Sequence, residues 1–137
     1  MDKEKDNSNN LSKNKGFLGF NAAFNGIKVF FLTQTNARIH LLFLVLVIVM
    51  GVLLKVSTTE WLIIVLCIGM VFTAEMMNTA IEHLTDLVSP TYNKTAGIVK
   101  DIAAGAVLLA SVAAAVAGFW IFLPKLLKLI GIGYGIG

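Results

Sequence analysis

Three charge-poor stretches dominate the chain, at residues 39–54, 61–74 and 102–123. A helix needs about 20 residues to cross a hydrocarbon core of about 30 Å. The third stretch reaches that length alone, and the first reaches it with its flanking residues. The second is long enough only if it includes Glu75, an acidic residue in an otherwise apolar helix. We therefore predict three membrane-spanning helices, at about residues 38–54, 60–88 and 98–123.

The segment at residues 17–33 has a helical pattern of a different kind. If each residue advances about 100° around the axis, its large apolar side chains fall within an arc of about 80°. These side chains are Phe17, Phe20, Phe24, Ile27 and Phe31. The pattern predicts an amphipathic helix that rests in the bilayer interface, and a helix that packs on protein is the alternative.

The composition fits a membrane protein. Hydrophobic residues make up 57% of the chain and charged residues 14%, whereas about 25% are charged in globular proteins; the mean hydropathy is +0.82. This excludes a disordered chain and a nucleic-acid-binding protein, and the single Cys67 excludes an internal disulfide. We expect the chain to have three regions. The polar residues 1–16 are predicted to form a flexible tail, residues 17–126 one membrane domain, and residues 127–137 a glycine-rich tail.

Basic residues are distributed unevenly around the predicted spans. With three spans, the N-terminal segment and the loop before the third span share one side of the membrane and carry eight basic residues, while the other side carries three. Short cytoplasmic loops are enriched in Lys and Arg. The distribution predicts that the N-terminus and this loop lie in the cytoplasm.

One face of the second span carries polar side chains. They follow the spacing i, i+3, i+7 and i+11, as Glu75, Asn78, Glu82 and Asp86, which places them in one narrow stripe. Each charge near the bilayer centre costs roughly 2.5–3.5 kcal/mol on insertion scales, so we expect this polar stripe to avoid lipid. If Trp61 marks the outer interface, Glu75 lies about 21 Å further in, roughly 9 Å below the cytoplasmic boundary of the core.

The polar stripe indicates phosphoryl transfer at a membrane surface. A carboxylate partly withdrawn from water suits a general base, and carboxylates at the water boundary suit Mg²⁺, which prefers oxygen ligands and accompanies phosphates. A lysine such as Lys100, which enters the third span from the same side, can hold a phosphate oxygen.

Two alternatives to this chemistry stay open. The inner carboxylates of the polar stripe can be buried partners of Arg38 or Lys100 that fix helix packing, although buried ion pairs stabilise a bundle poorly. They can also form a proton or ion pathway in a non-enzymatic oligomer. The two histidines, His40 and His83, lack a third ligand at metal spacing, and we interpret them as boundary or packing residues.

Two segments carry a resemblance to a known family. Residues 74–90 read AEMMNTAIEHLTDLVSP and residues 99–111 read VKDIAAGAVLLAS. The E-x-x-N-T-A-I-E-x-x-x-D run followed by a K-D pair resembles the prokaryotic diacylglycerol kinase/undecaprenol kinase family of small integral-membrane lipid kinases. NARIH at residues 36–40 and IFLPKL at residues 121–126 extend the resemblance. It implies an all-α homotrimer in the bacterial cytoplasmic membrane, with three transmembrane helices and an N-terminal surface helix per chain, and active sites near the cytoplasmic interface.

The matching positions imply a role for each residue. Glu75 takes the place of the general base that accepts the proton of the lipid hydroxyl, and Asn78 supports it. Glu82 takes the place of the carboxylate that holds the Mg²⁺ of MgATP. The other nucleotide-side positions are Asp86, Thr91, Tyr92, Asn93, Lys100 and Asp101. Lys15 stands where some members have a basic residue near the lipid substrate.

Gln34 departs from the family pattern. Many members have a glutamate there, which serves as a second metal ligand on the ATP side. An amide oxygen can still coordinate Mg²⁺ but supplies no negative charge to balance it. We therefore predict that Gln34→Glu lowers the Mg²⁺ concentration needed for half-maximal phosphate transfer. A Mg²⁺ titration of both proteins at fixed ATP checks this, and an unchanged Mg²⁺ dependence contradicts it.

The resemblance also bears on the lipid. NARIH and the LPK run at residues 123–125 resemble the undecaprenol kinases more than the enterobacterial type of diacylglycerol kinase. The expected activity is transfer of the γ-phosphate of MgATP to undecaprenol, giving undecaprenyl phosphate, and the alternative is diacylglycerol, giving phosphatidic acid. Residue chemistry alone leaves both open, because each lipid offers a primary hydroxyl and apolar chains.

Overall fold

The computed structural model describes residues 19–131, and the regular structure among them is helical. Residues 19–33 form helix α1, followed by α2 (Thr35–Leu53), α3 (Thr58–Val88) and α4 (Lys94–Leu129). The chain divides into two units, one that ends at Thr35 and one that begins at Asn36. The predicted polar tail, Lys15 and the glycine-rich end from residue 132 onward lie outside the described residues.

Helices α2, α3 and α4 are each long and apolar enough to cross a membrane, because they contain 18-residue segments with mean hydropathies of 2.2, 1.9 and 2.4, respectively. This confirms the prediction of an all-α fold with three spans. Many of their large apolar side chains are exposed in the single chain, such as Leu66, Leu109 and Trp120. Such a surface is compatible with a solvent of lipid tails or with neighbouring protein chains, and not with water.

Helix α1 carries aromatic side chains on its surface. Phe20 and Phe24 are exposed, whereas Phe30 is buried and its ring meets that of Phe31 edge to face with centroids 5.3 Å apart. The exposed rings suit an amphipathic surface helix. The location of α1 in the bilayer interface stays a prediction.

The N-terminus of α3 is fixed by a capping box. The Ser57 hydroxyl accepts a hydrogen bond from the Glu60 backbone N–H, and the Glu60 carboxylate accepts one from the Ser57 backbone N–H at 2.8 Å. This reciprocal pair satisfies two backbone groups that a helix start leaves without partners. Glu60 also forms an ion pair with Lys125 of α4 at 3.1 Å, so the same residue starts α3 and ties it to α4.

Helix α4 continues beyond the end that its apolar run suggests. Sequence places the boundary of the third span near residue 123, but the helix passes through Pro124 and ends at Leu129. Proline lacks the N–H that would bond the carbonyl of Trp120, and membrane helices tolerate this loss. Gly131, with φ +73°, follows the helix end, a backbone conformation that glycine adopts without a steric cost.

The apolar core of the helical unit lies at the end remote from the polar stripe. Its buried members are Val56, Ile64, Ile121 and Phe122. Trp61 of α3 packs beside this cluster and against Gly51 of α2, where an added Cβ would lie only 2.5 Å from the Trp61 ring. Trp61 therefore holds two helices together in addition to any role at the interface.

Gly51→Ala is expected to destabilise the protein by about 1–3 kcal/mol, the usual cost of overpacking. The matched control is Gly69→Ala in α3, where an added Cβ meets nothing within 4 Å and helix propensity improves by up to about 1 kcal/mol. Thermal unfolding in detergent measures both. Combining Gly51→Ala with Trp61→Phe should recover stability, and an equal effect of the two alanines would argue against the tight contact.

Candidate active site

The polar stripe on α3 runs from a buried end to an exposed end. Glu75 and Asn78 are buried, with 4% and 9% of their surface exposed. Glu82 is half-buried, and the side chain of Asp86, one turn further on, is 67% exposed. The single chain thus shields the inner half of the polar stripe and leaves the outer half open to a solute.

His40 of α2 contacts the buried end of the polar stripe. Its Nε2 lies 2.9 Å from Oε1 of Glu75, and the two side chains are 24% and 5% exposed. Our interpretation of His40 as a boundary or packing residue missed this partner. The sequence did contain a clue to this contact. His40 lies near the start of the first span and Glu75 in the second half of the next, and these two regions approach each other when neighbouring spans are antiparallel.

Asn78 links the buried end of the polar stripe to Glu82, one turn further along α3. Its Nδ2 donates a hydrogen bond to Oε1 of Glu82 at 3.1 Å. Its Oδ1 is buried and has no hydrogen-bond partner within the described part of the chain. A buried acceptor without a partner is costly, and because the amide nitrogen faces Glu82, this oxygen points away from the Glu82 carboxylate. The carboxylate of Glu82 offers oxygen ligands of the kind that Mg²⁺ prefers, but the described residues include no group of three or more His, Cys, Asp or Glu side chains that could hold a metal ion, and magnesium binding stays a prediction.

Lys100 of α4 reaches the outer end of the polar stripe. Its Nζ lies 2.5 Å from Oδ1 of Asp86, so the loop between α3 and α4 brings Lys100 to the stripe, as expected from the sequence. Lys100 is half-buried, and its neighbour Asp101 is exposed. The ammonium group is available to a phosphate only if it shares or leaves its bond to Asp86.

The three predicted nucleotide-side residues in the loop between α3 and α4 differ in exposure and in hydrogen bonding. Asn93 caps α4, because its Oδ1 accepts hydrogen bonds from the backbone N–H groups of Thr95 at 2.8 Å and Ala96 at 3.3 Å. The carbonyl of Thr91 accepts a hydrogen bond from the Ser89 hydroxyl, and Tyr92 is 97% exposed. The capping bonds give Asn93 a structural role, and the nucleotide contacts of all three loop residues stay predictions.

Two further predicted site residues precede the unit that carries the polar stripe. Lys15 lies outside the described residues. Gln34 lies between α1 and α2 in the N-terminal unit, where its backbone N–H bonds to the carbonyl of Phe30 at 3.0 Å. Its service as a metal ligand stays a prediction.

An apolar cavity of about 350 Å³ lies among α2, α3 and α4. Its walls are almost entirely aliphatic and aromatic, and they include Phe43, Val71, Phe72 and Phe122. His40 also lines it. The imidazole that bonds to Glu75 therefore marks the point where an apolar space meets the polar stripe.

The chain is similar in sequence to known membrane lipid kinases. Residues 21–122 match the family described as prokaryotic diacylglycerol kinase. The chain is 41% identical over 122 residues to an undecaprenol kinase of Bacillus subtilis (strain 168), which covers 89% of this chain and 98% of that relative. It is 40% identical over 114 residues to a diacylglycerol kinase of Synechocystis sp. (strain ATCC 27184 / PCC 6803 / Kazusa), covering 82% of this chain and 65% of that relative. The chain therefore belongs to the prokaryotic diacylglycerol kinase family.

Proposed function

We propose that this bacterial membrane lipid kinase transfers the γ-phosphate of ATP to undecaprenol. The observation that carries the choice of lipid is the match to a relative named undecaprenol kinase over 98% of that relative's length. The relative named diacylglycerol kinase is matched over 65% of its length, and diacylglycerol is the second candidate. The non-enzymatic proton pathway is not retained, because both relatives are named kinases.

Glu75 is the general base in this proposal. Its carboxylate is buried beside an apolar cavity, where the hydroxyl of a lipid alcohol can meet it while the apolar chain stays out of water. Accepting the hydroxyl proton makes the oxygen a better nucleophile toward phosphorus. Asn78, one turn away, keeps the neighbouring carboxylate of Glu82 in place through its amide.

Glu82 is the residue of the polar stripe that would hold magnesium, through its carboxylate. When bound with ATP, magnesium neutralises charge on the phosphate oxygens. The half-buried position of Glu82 places this carboxylate between the buried base and the exposed end of the polar stripe. Lys100 and Asp101 then orient the nucleotide, with Asp86 holding the Lys100 side chain until a phosphate replaces it.

The active site faces the cytoplasm in this proposal, and the kinase is a homotrimer. The distribution of basic residues supports the orientation. The exposed apolar side chains of α2, α3 and α4 leave ample surface for contacts with further chains. Sedimentation in detergent is expected to give the mass of three chains.

Phosphate transfer from radiolabelled ATP in mixed micelles tests the substrate. Undecaprenol and diacylglycerol are compared at matched mole fraction, and undecaprenol is expected to give the larger kcat/KM. A preference for diacylglycerol would replace the first candidate by the second. Transfer to neither lipid by folded protein would overturn the proposed function as a whole.

A further inference from the structure

The contact between His40 and Glu75 is more than a packing contact, because it involves the base itself. It engages one of the two oxygens of the Glu75 carboxylate at 2.9 Å. A carboxylate that accepts a proton from a substrate must present an oxygen in a defined direction. A hydrogen bond to one oxygen fixes the rotation of the carboxylate plane and thereby the direction of the other.

Chemistry determines which partner donates in this bond. A carboxyl group that acts as a base is ionised before it accepts the proton, and an ionised carboxylate only accepts hydrogen bonds, so in that state Nε2 of His40 carries the hydrogen. A neutral imidazole with this tautomer is sufficient. The ring is also steadied by Phe72, whose ring meets it edge to face with centroids 6.3 Å apart and an interplanar angle of 73°.

We propose that His40 is a positioning residue for Glu75. It donates a hydrogen bond from Nε2 to Oε1, holds the carboxylate in the orientation in which it receives the lipid hydroxyl proton, and is itself held by Phe72. The proposal rests on the proposed role of Glu75. It goes beyond that role by assigning a second residue, from a different helix, to the reaction.

The location of His40 supports a positioning role over a purely structural one. The imidazole lines the apolar cavity and contacts the buried end of the polar stripe. A lipid alcohol that places the first carbons of its chain in this cavity brings its hydroxyl to the His40–Glu75 pair. By contrast, the apolar cluster around Ile64 and Phe122 and the Glu60–Lys125 ion pair hold α3 to α4 at the other end of the unit, where α2 packs on the cluster only through partly buried side chains.

Two amide substitutions that differ only in length test the proposal. His40→Gln can place an N–H near the former Nε2 position, whereas the shorter side chain of His40→Asn cannot reach Glu75. We expect His40→Gln to keep kcat within about threefold of the parent, and His40→Asn to lower kcat by about tenfold or more, or about 1.4 kcal/mol in the barrier. The KM values for ATP and lipid should change little in both, because orientation of the base acts on the chemical step.

The control is His83→Asn, which makes the same change at an exposed histidine of α3 and should leave kcat unaltered. Thermal unfolding in detergent of all variants ensures that kcat is compared between folded proteins. Equal kcat values in the Gln and Asn variants would overturn the positioning role, and so would a loss that appears only in KM. A parent protein that phosphorylates neither lipid would instead overturn the proposed function, so the two failures are distinguishable.

Discussion

Glu75→Gln is expected to lower kcat for lipid phosphorylation by about 10²–10⁴-fold, the usual contribution of a general base. The amide has nearly the same size as the carboxylate but cannot accept the hydroxyl proton. Its oxygen can still accept the hydrogen bond from His40, so the helices should stay together. Radiolabelled phosphate transfer measures the loss, and sedimentation in detergent should give the same mass as the parent.

The matched control is Glu60→Gln, which makes the same chemical change at the other end of α3. Glutamine still completes the capping box, and the ion pair with Lys125 contributes no more than about 1 kcal/mol, so kcat should not change. Near-normal turnover in Glu75→Gln would place the base elsewhere. Failure of Glu75→Gln to assemble would instead favour the alternative in which this carboxylate fixes helix packing.

The part of the site that lies on one helix could be predicted from the sequence. Glu75, Asn78 and Glu82 share a face because helical periodicity is a local property, and the structure buries the first two and links the second to the third. The need to exclude charge from lipid indicated which way this face points. Both deductions required only the spacing of residues along α3.

The contacts between helices could not be predicted in the same way. The bond from His40 to Glu75 depends on how far α2 is rotated and shifted against α3, which no periodicity within either helix determines. The proximity of Lys100 to the polar stripe could be predicted, because a short loop returns α4 to the same end of α3, but its bond to Asp86 in particular could not. The extension of α4 past Pro124 was missed because the apolar run ends there, while the backbone can continue with one hydrogen bond fewer.

Glu82→Gln is expected to raise the Mg²⁺ concentration for half-maximal activity by about tenfold, since a carboxylate is the stronger ligand for this hard cation. At limiting Mg²⁺ the loss of turnover should approach the same factor of about ten, because magnesium is needed to stabilise the charge on the transferred phosphate. The KM for the lipid should stay the same. A Mg²⁺ titration of phosphate transfer at fixed ATP measures the shift.

The neighbouring substitution His83→Gln serves as the control, because it alters an exposed side chain on the same turn of α3 without removing an oxygen ligand. An unchanged Mg²⁺ dependence in Glu82→Gln would place the cation on other ligands and leave Glu82 as a hydrogen-bond partner of Asn78 alone. Glu82→Asp sharpens the distinction. The aspartate keeps the negative charge on a side chain that is one methylene shorter. If Glu82 coordinates Mg²⁺, Glu82→Asp should need less Mg²⁺ for half-maximal activity than Glu82→Gln. If only the hydrogen bond to Asn78 matters, the two variants should need the same Mg²⁺ concentration.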